Sequence, residues 1–155
     1  MTPAHEQLYW QTLRSLATAG FEFCVIGTFA LRCQVPALAA WPVADCDLLL
    51  PNQPAAINAL ATHLRAHGWA VTLWEQPVQL PLSAAALAGK YYLRARQAGA
   101  VLDCTYECDH LSWPDFAARL HWHRGVPLAA PEHSLLLKAR RNSPADRQVI
   151  ELCRL

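Results

Sequence analysis

The chain has 155 residues, 54% of them hydrophobic and 16% charged, with a formal net charge of +1. That length suits one domain with a sizeable core, and the composition excludes an extensively disordered chain. Near neutrality also removes any global electrostatic drive toward nucleic acid or membrane, so a basic surface has to be local.

Nothing resembling a cationic stretch followed by an apolar run occurs in Met1-Thr2-Pro3-Ala4-His5-Glu6, so no signal peptide is visible. No uncharged apolar run approaches the roughly 20 residues of a membrane helix. The expectation is a soluble cytoplasmic protein without a membrane partner.

Leu8, Leu13, Leu16 and Ala17 form a helical stripe from about His5 to Ala19, with Gly20 as its C-terminal cap. Phe21 to Ile26 is rich in strand-forming residues, and Thr28 to Gln34 reads as a short helix stopped before Pro36. Val35 to Pro42 reads as an irregular connection. A second strand runs from about Ala44 to Leu50, and Pro54 and Gly68 bracket a helix over Ala55 to His67. Trp69 to Trp74 is the next expected strand, and Gln76 to Leu87 has no clear assignment. Ala98-Gly99 joins Tyr91 to Gln97 and Ala100 to Cys108 as a hairpin. Beyond it come a helix over Pro114 to Leu120, an irregular or extended piece through His121-Trp122-His123-Arg124, and a helical tail from about Pro131. Ser143 caps the final helix, with Pro144 in its first turn. No linker divides the chain. The expectation is a single domain over 1–155, of α/β or α+β class, with a small mixed sheet flanked by helices.

The chemistry concentrates in Asp45-Cys46-Asp47. On a strand the two acids share one face, while Cys46 and Leu48 enter the core. Adjacent carboxylates repel and call for a cation, and oxygen-only ligation suits Mg²⁺ held together with substrate phosphates. Gly27 ends an apolar run where a helix begins, and free backbone N–H groups at a helix start suit an anion. Asp103 offers a third carboxylate from a strand that could lie beside the Asp45 strand. Solvated strand-edge acids remain the plainer alternative. Lys138, Arg140 and Arg141 read either as cations for a phosphate chain or as a solvated helix end. Arg94 and Arg96 share a strand face and read as exposed charges, with contact to phosphate as the alternative. In the cluster His121-Trp122-His123-Arg124, Trp122 is expected to pack against the domain, with stacking on a base as the alternative, and His133 is expected to lie on the surface.

Six cysteines raise the question of zinc. Cys104 and Cys108, with His110, His121 and His123, form a loose candidate set. Without a Cys-x-x-Cys pair, Cys24, Cys46 and Cys104 read as small buried hydrophobes.

Val25-Ile26-Gly27-Thr28, then Asp45-Cys46-Asp47, then Val101-Leu102-Asp103 resembles the nucleotidyltransferase superfamily, which shares the DNA polymerase beta fold. The tail Pro131-Glu132-His133-Ser134-Leu135-Leu136-Leu137-Lys138, followed by Asp146, resembles that of its small single-domain bacterial members. Those include abortive-infection and toxin–antitoxin nucleotidyltransferases. The resemblance implies a catalytic set of Asp45, Asp47 and Asp103 holding two Mg²⁺ ions, with Gly27, Thr28 and Lys138 contacting an NTP. It implies transfer of an NMP from NTP (ATP, for instance) to a protein, tRNA or small-molecule acceptor, and an antitoxin partner. A catalytically degenerate member acting as a binding or regulatory module is the alternative.

Overall fold

A computed structural model describes residues 1–107 and 112–154. In it, seven α-helices surround one mixed sheet of eight strands among the described residues, an α+β architecture. None of these helices is long and apolar enough to cross a membrane.

Helix α1 (Pro3–Thr18) starts at Thr2, whose hydroxyl accepts from the His5 amide, and it buries Tyr9, Trp10, Leu13 and Leu16. Strand β1 (Cys24–Ile26) is shorter than expected, since Phe21 to Phe23 lie outside it, and it runs directly into α2 (Gly27–Gln34). A 3-10 turn over Pro36–Leu38 occupies the proline-bearing connection. Strand β2 (Cys46–Leu49) begins after Asp45, and α3 (Pro54–Ala66), β3 (Ala70–Leu73) and β4 (Gln76–Pro77) follow. The segment without a clear assignment thus holds β4 and a short α4 (Ala84–Leu87). The hairpin of β5 (Tyr92–Gln97) and β6 (Ala100–Thr105) turns at Ala98-Gly99 as expected.

Past α5 (Trp113–Ala117) the extended alternative holds, and the stretch goes further than expected by forming a second hairpin, β7 (Leu120–His123) and β8 (Val126–Ala129). Its turn is Arg124-Gly125, both at positive φ, a two-residue geometry that matches strand twist. Trp122 on β7 is 68% exposed rather than packed, because β7 is the outermost strand and Trp122 faces outward. Helices α6 (Pro131–Arg141) and α7 (Pro144–Cys153) end the chain, the latter with a Ser143–Asp146 capping box.

The strand order is β4-β3-β5-β6-β2-β1-β8-β7, with β2 parallel to β6, β1 parallel to β8 and the other pairs antiparallel. Period-two alternation gives the sheet two different faces. Leu73, Leu93, Cys104, Leu48, Val25 and Leu128 lie in one register row and are buried in a core shared with α1 and α3. On the opposite face, Cys24, Ile26, Leu49 and Ala129 pack with Phe116 of α5, while Leu31, Leu38 and Val149 form a satellite core between α2 and α7. Cys24, Cys46 and Cys104 are fully buried free thiols, as expected.

Leu48 sits at the centre of the buried row with no exposed surface. Leu48→Ala is expected to lower unfolding stability by about 2–5 kcal/mol through lost transfer energy and a residual cavity, read from urea unfolding midpoints.

Candidate metal centre

On the face opposite α1 and α3, a second register row crosses the sheet: Thr72, Arg94, Asp103, Asp47 and Ile26. Parallel pairing of β2 with β6 sets Asp47 directly beside Asp103. Asp45 lies two residues upstream of Asp47, just before the strand. One carboxylate oxygen from each of Asp45, Asp47 and Asp103 lies within 4.8 Å of the others, a spacing that could hold a metal ion. Asp103 is buried, while Asp45 and Asp47 are half-buried. The three expected acids therefore come together.

Gly27 is the other wall. Its φ of +71° is left-handed, a conformation that side chains rarely adopt, and a Cβ there would stand 2.5 Å from Asp47 Oδ2. The Asp47 carboxylate thus rests against the first residue of α2, whose N-terminus has no side-chain cap. Thr28 is the next residue, half-buried in the first turn.

A cavity of about 210 Å³ opens beside Asp47, lined by Gly27, Thr105, Ser134, Lys138 and Arg141 among others. Lys138 lines this cavity and is no solvated helix end: it is 4% exposed, and its Nζ donates to Asp146 Oδ1 at 3.1 Å. Arg141 donates to both oxygens of Asp146, at 2.7 and 2.6 Å, and the Ser143 hydroxyl donates to Oδ2 at 2.6 Å. These donors, Arg141 first, hold Asp146 well below the usual carboxylate range despite its burial.

Two residues that line or brace the site were not among the expected site residues. Ser134 is fully buried and its Oγ has no hydrogen-bond partner, although it lines the cavity. A buried hydroxyl left unpaired costs free energy, so a ligand atom in the cavity would satisfy it. Arg94, read as an exposed charge, instead grips Asp103: Nε and Nη2 donate to Oδ1 and Oδ2 at 2.7 Å each. The two-residue turn at Ala98-Gly99 already implies that pairing, since Arg94 and Asp103 are equidistant from it. His133 is half-buried against Phe116 rather than on the surface.

Among the described residues the zinc candidates do not assemble. Cys104 is buried on the opposite face, His121 pairs with Gln34, and His123 packs on Trp10. Cys108 and His110 lie outside the described residues. Among the described residues the acidic triad is the one cluster with metal-binding spacing.

Electrostatics follow from this crowding. Burial, then Asp45 and Asp103, push Asp47 up to about 7, while Arg141 and Lys138 pull it back. The folded state therefore holds this proton more tightly than the unfolded chain, whose aspartate titrates near 3.8. That contribution to stability is fully present below the unfolded value and is lost as pH rises through the folded one. Asp146 acts oppositely, but its contribution is lost only below 3.8, outside this window. The melting temperature of the metal-free protein is expected to carry a falling component between pH 3.8 and about 7 that Asp47→Asn removes, as followed by circular dichroism.

Comparison with protein families and with curated proteins finds no match for this chain.

Proposed function

We propose that this chain is a nucleotidyltransferase-type protein that binds an NTP with Mg²⁺ and passes the NMP to an acceptor hydroxyl, the α–β phosphoanhydride bond breaking and pyrophosphate leaving. The observation that carries the reading is the convergence of Asp45, Asp47 and Asp103 against the Gly27 turn. The strand-to-helix turn at Gly27, the Asp-x-Asp and the later lone Asp are far apart in sequence, and all three come together in space.

The donor set fits the ion. Three carboxylate oxygens with no nitrogen or sulfur ligand favour a hard cation such as Mg²⁺, which commonly shares its coordination with substrate phosphates. When bound, Mg²⁺ would neutralise phosphate charge and lower the pKa of the acceptor hydroxyl. The protein's own residues do the holding. Asp45, Asp47 and Asp103 would be the ligands, and the start of α2 at Gly27 and Thr28 would meet phosphate oxygens. Lys138, Arg141 and Ser134 would line the path of the polyphosphate. At about 210 Å³ the cavity is below the roughly 300–1,000 Å³ of pockets that enclose a whole drug-sized ligand, so the phosphates would sit inside and the nucleoside outside.

The acceptor would be a protein side chain, an RNA end such as that of tRNA, or a small molecule. A role in a toxin–antitoxin pair or phage defence, with an antitoxin as partner, extends the resemblance. A catalytically degenerate binding module is the second reading, favoured by Arg94 already occupying both oxygens of Asp103.

Mg²⁺ with NTP is expected to raise the melting temperature, with stabilisation of about 2.7 kcal/mol at a ligand concentration a hundredfold above Kd. Asp47→Ala should abolish that shift, and retained NTP affinity in the variant would overturn the metal-site reading. Incubation with α-phosphate-labelled NTPs separates the two readings: an active enzyme leaves label on an acceptor, whereas a degenerate member binds and leaves none.

A further inference from the structure

Arg94 faces Asp103 across the β5–β6 hairpin and meets it with a two-point fork. Its third nitrogen, Nη1, donates to Glu75 Oε1 at 3.1 Å, and Glu75 also accepts from Arg96. Glu75 sits with Trp74 in the β3–β4 turn, both at positive φ. The guanidinium also lies 5.4 Å from the centre of the Tyr92 ring. Arg94 is thus held from three sides. Its charge is permanent, because a guanidinium does not lose its proton in proteins.

With all three aspartates ionised, as metal ligation requires, the triad and Arg94 carry a formal charge of −2, Glu75 and Arg96 cancelling each other, and that is the charge one divalent ion balances. Each Asp103 oxygen has a second lone pair beyond the one the fork occupies, so ligation through that carboxylate stays open. We propose, resting on the metal-centre reading above, that Arg94 is a built-in cation of the acidic cluster. It stands in for a second ion and holds the triad to one divalent ion per chain until a phosphate-bearing ligand arrives. Without the guanidinium, Asp103 becomes an uncompensated buried charge, and a second ion meets that demand. A guanidinium that only oriented Asp103 would have the opposite effect, since its loss would weaken metal binding.

The test is Mn²⁺ binding to the intact chain without nucleotide, measured by equilibrium dialysis and by the paramagnetic resonance of free Mn²⁺. The wild type is expected to bind one saturable ion, and Asp47→Asn to lose it. Arg94→Gln should gain a second ion or bind the first about tenfold more tightly, with a larger Mn²⁺-induced rise in melting temperature. Arg94→Met, which keeps the aliphatic stem over Tyr92, should behave likewise, and Arg94→Lys should stay at one ion. Unchanged or weaker binding in both uncharged variants overturns the proposal. Two ions in the wild type overturn it while leaving the metal centre standing, and no Mn²⁺ binding by the wild type overturns both.

Discussion

Parallel pairing of β2 with β6 puts Asp47 beside Asp103, and much of the molecule's polar chemistry follows from that forced approach of like charges. Neither strand can slip to relieve it. A one-residue shift would carry Leu48, Leu102 and Cys104 out of the main core and onto the opposite face, exchanging buried apolar surface for solvent. The hydrophobic row therefore enforces the acidic row. Arg94 compensates one of the three acids, and the raised proton affinity of Asp47 records first its burial and then the repulsion from Asp45 and Asp103.

The cationic counterpart arrives from the end of the chain. Asp146 organises Lys138, Arg141 and the Ser143 cap around one fully buried carboxylate, tying α6 to α7. The same cluster presents Lys138 and Arg141 to the cavity beside Asp47. Structural and site roles are thus joined in the same side chains: Lys138 is buried because Asp146 neutralises it, and its burial is what brings its charge close to the sheet. A lysine at a solvated helix end would be screened by water and would contribute far less there.

Hairpin turns do comparable work at the edges of the site. Ala98-Gly99 sets the register that places Arg94 on Asp103, and Trp74-Glu75 brings in the carboxylate that braces Arg94 from the other side. Backbone at positive φ without glycine costs free energy, and at Trp74 and Glu75 the surrounding contacts hold it: the indole N–H donates to the Lys90 carbonyl, and Glu75 bridges two arginines.

Much of this was written in local sequence. Apolar periodicity located α1 and α3, proline and glycine marked their ends, Ser143 and Pro144 marked the start of α7, and alternation placed Cys46 and Leu48 inward with Asp47 opposite. Such signals are legible because each depends on neighbours a few residues apart. Tertiary structure alone decided the rest. The β7–β8 strands became strands by pairing at the sheet edge beside β1, with too little apolar alternation to announce themselves. Arg94 looked like an exposed strand charge until Asp103 claimed it, the burial of Lys138 was set by Asp146, Ser134 gained its meaning only from a cavity assembled by five elements, and Trp122 was left outside by its place on the last strand. Local sequence sets which way a side chain points along its own element; only the packing of elements sets what it then faces, and the strength of a charge depends on that surrounding.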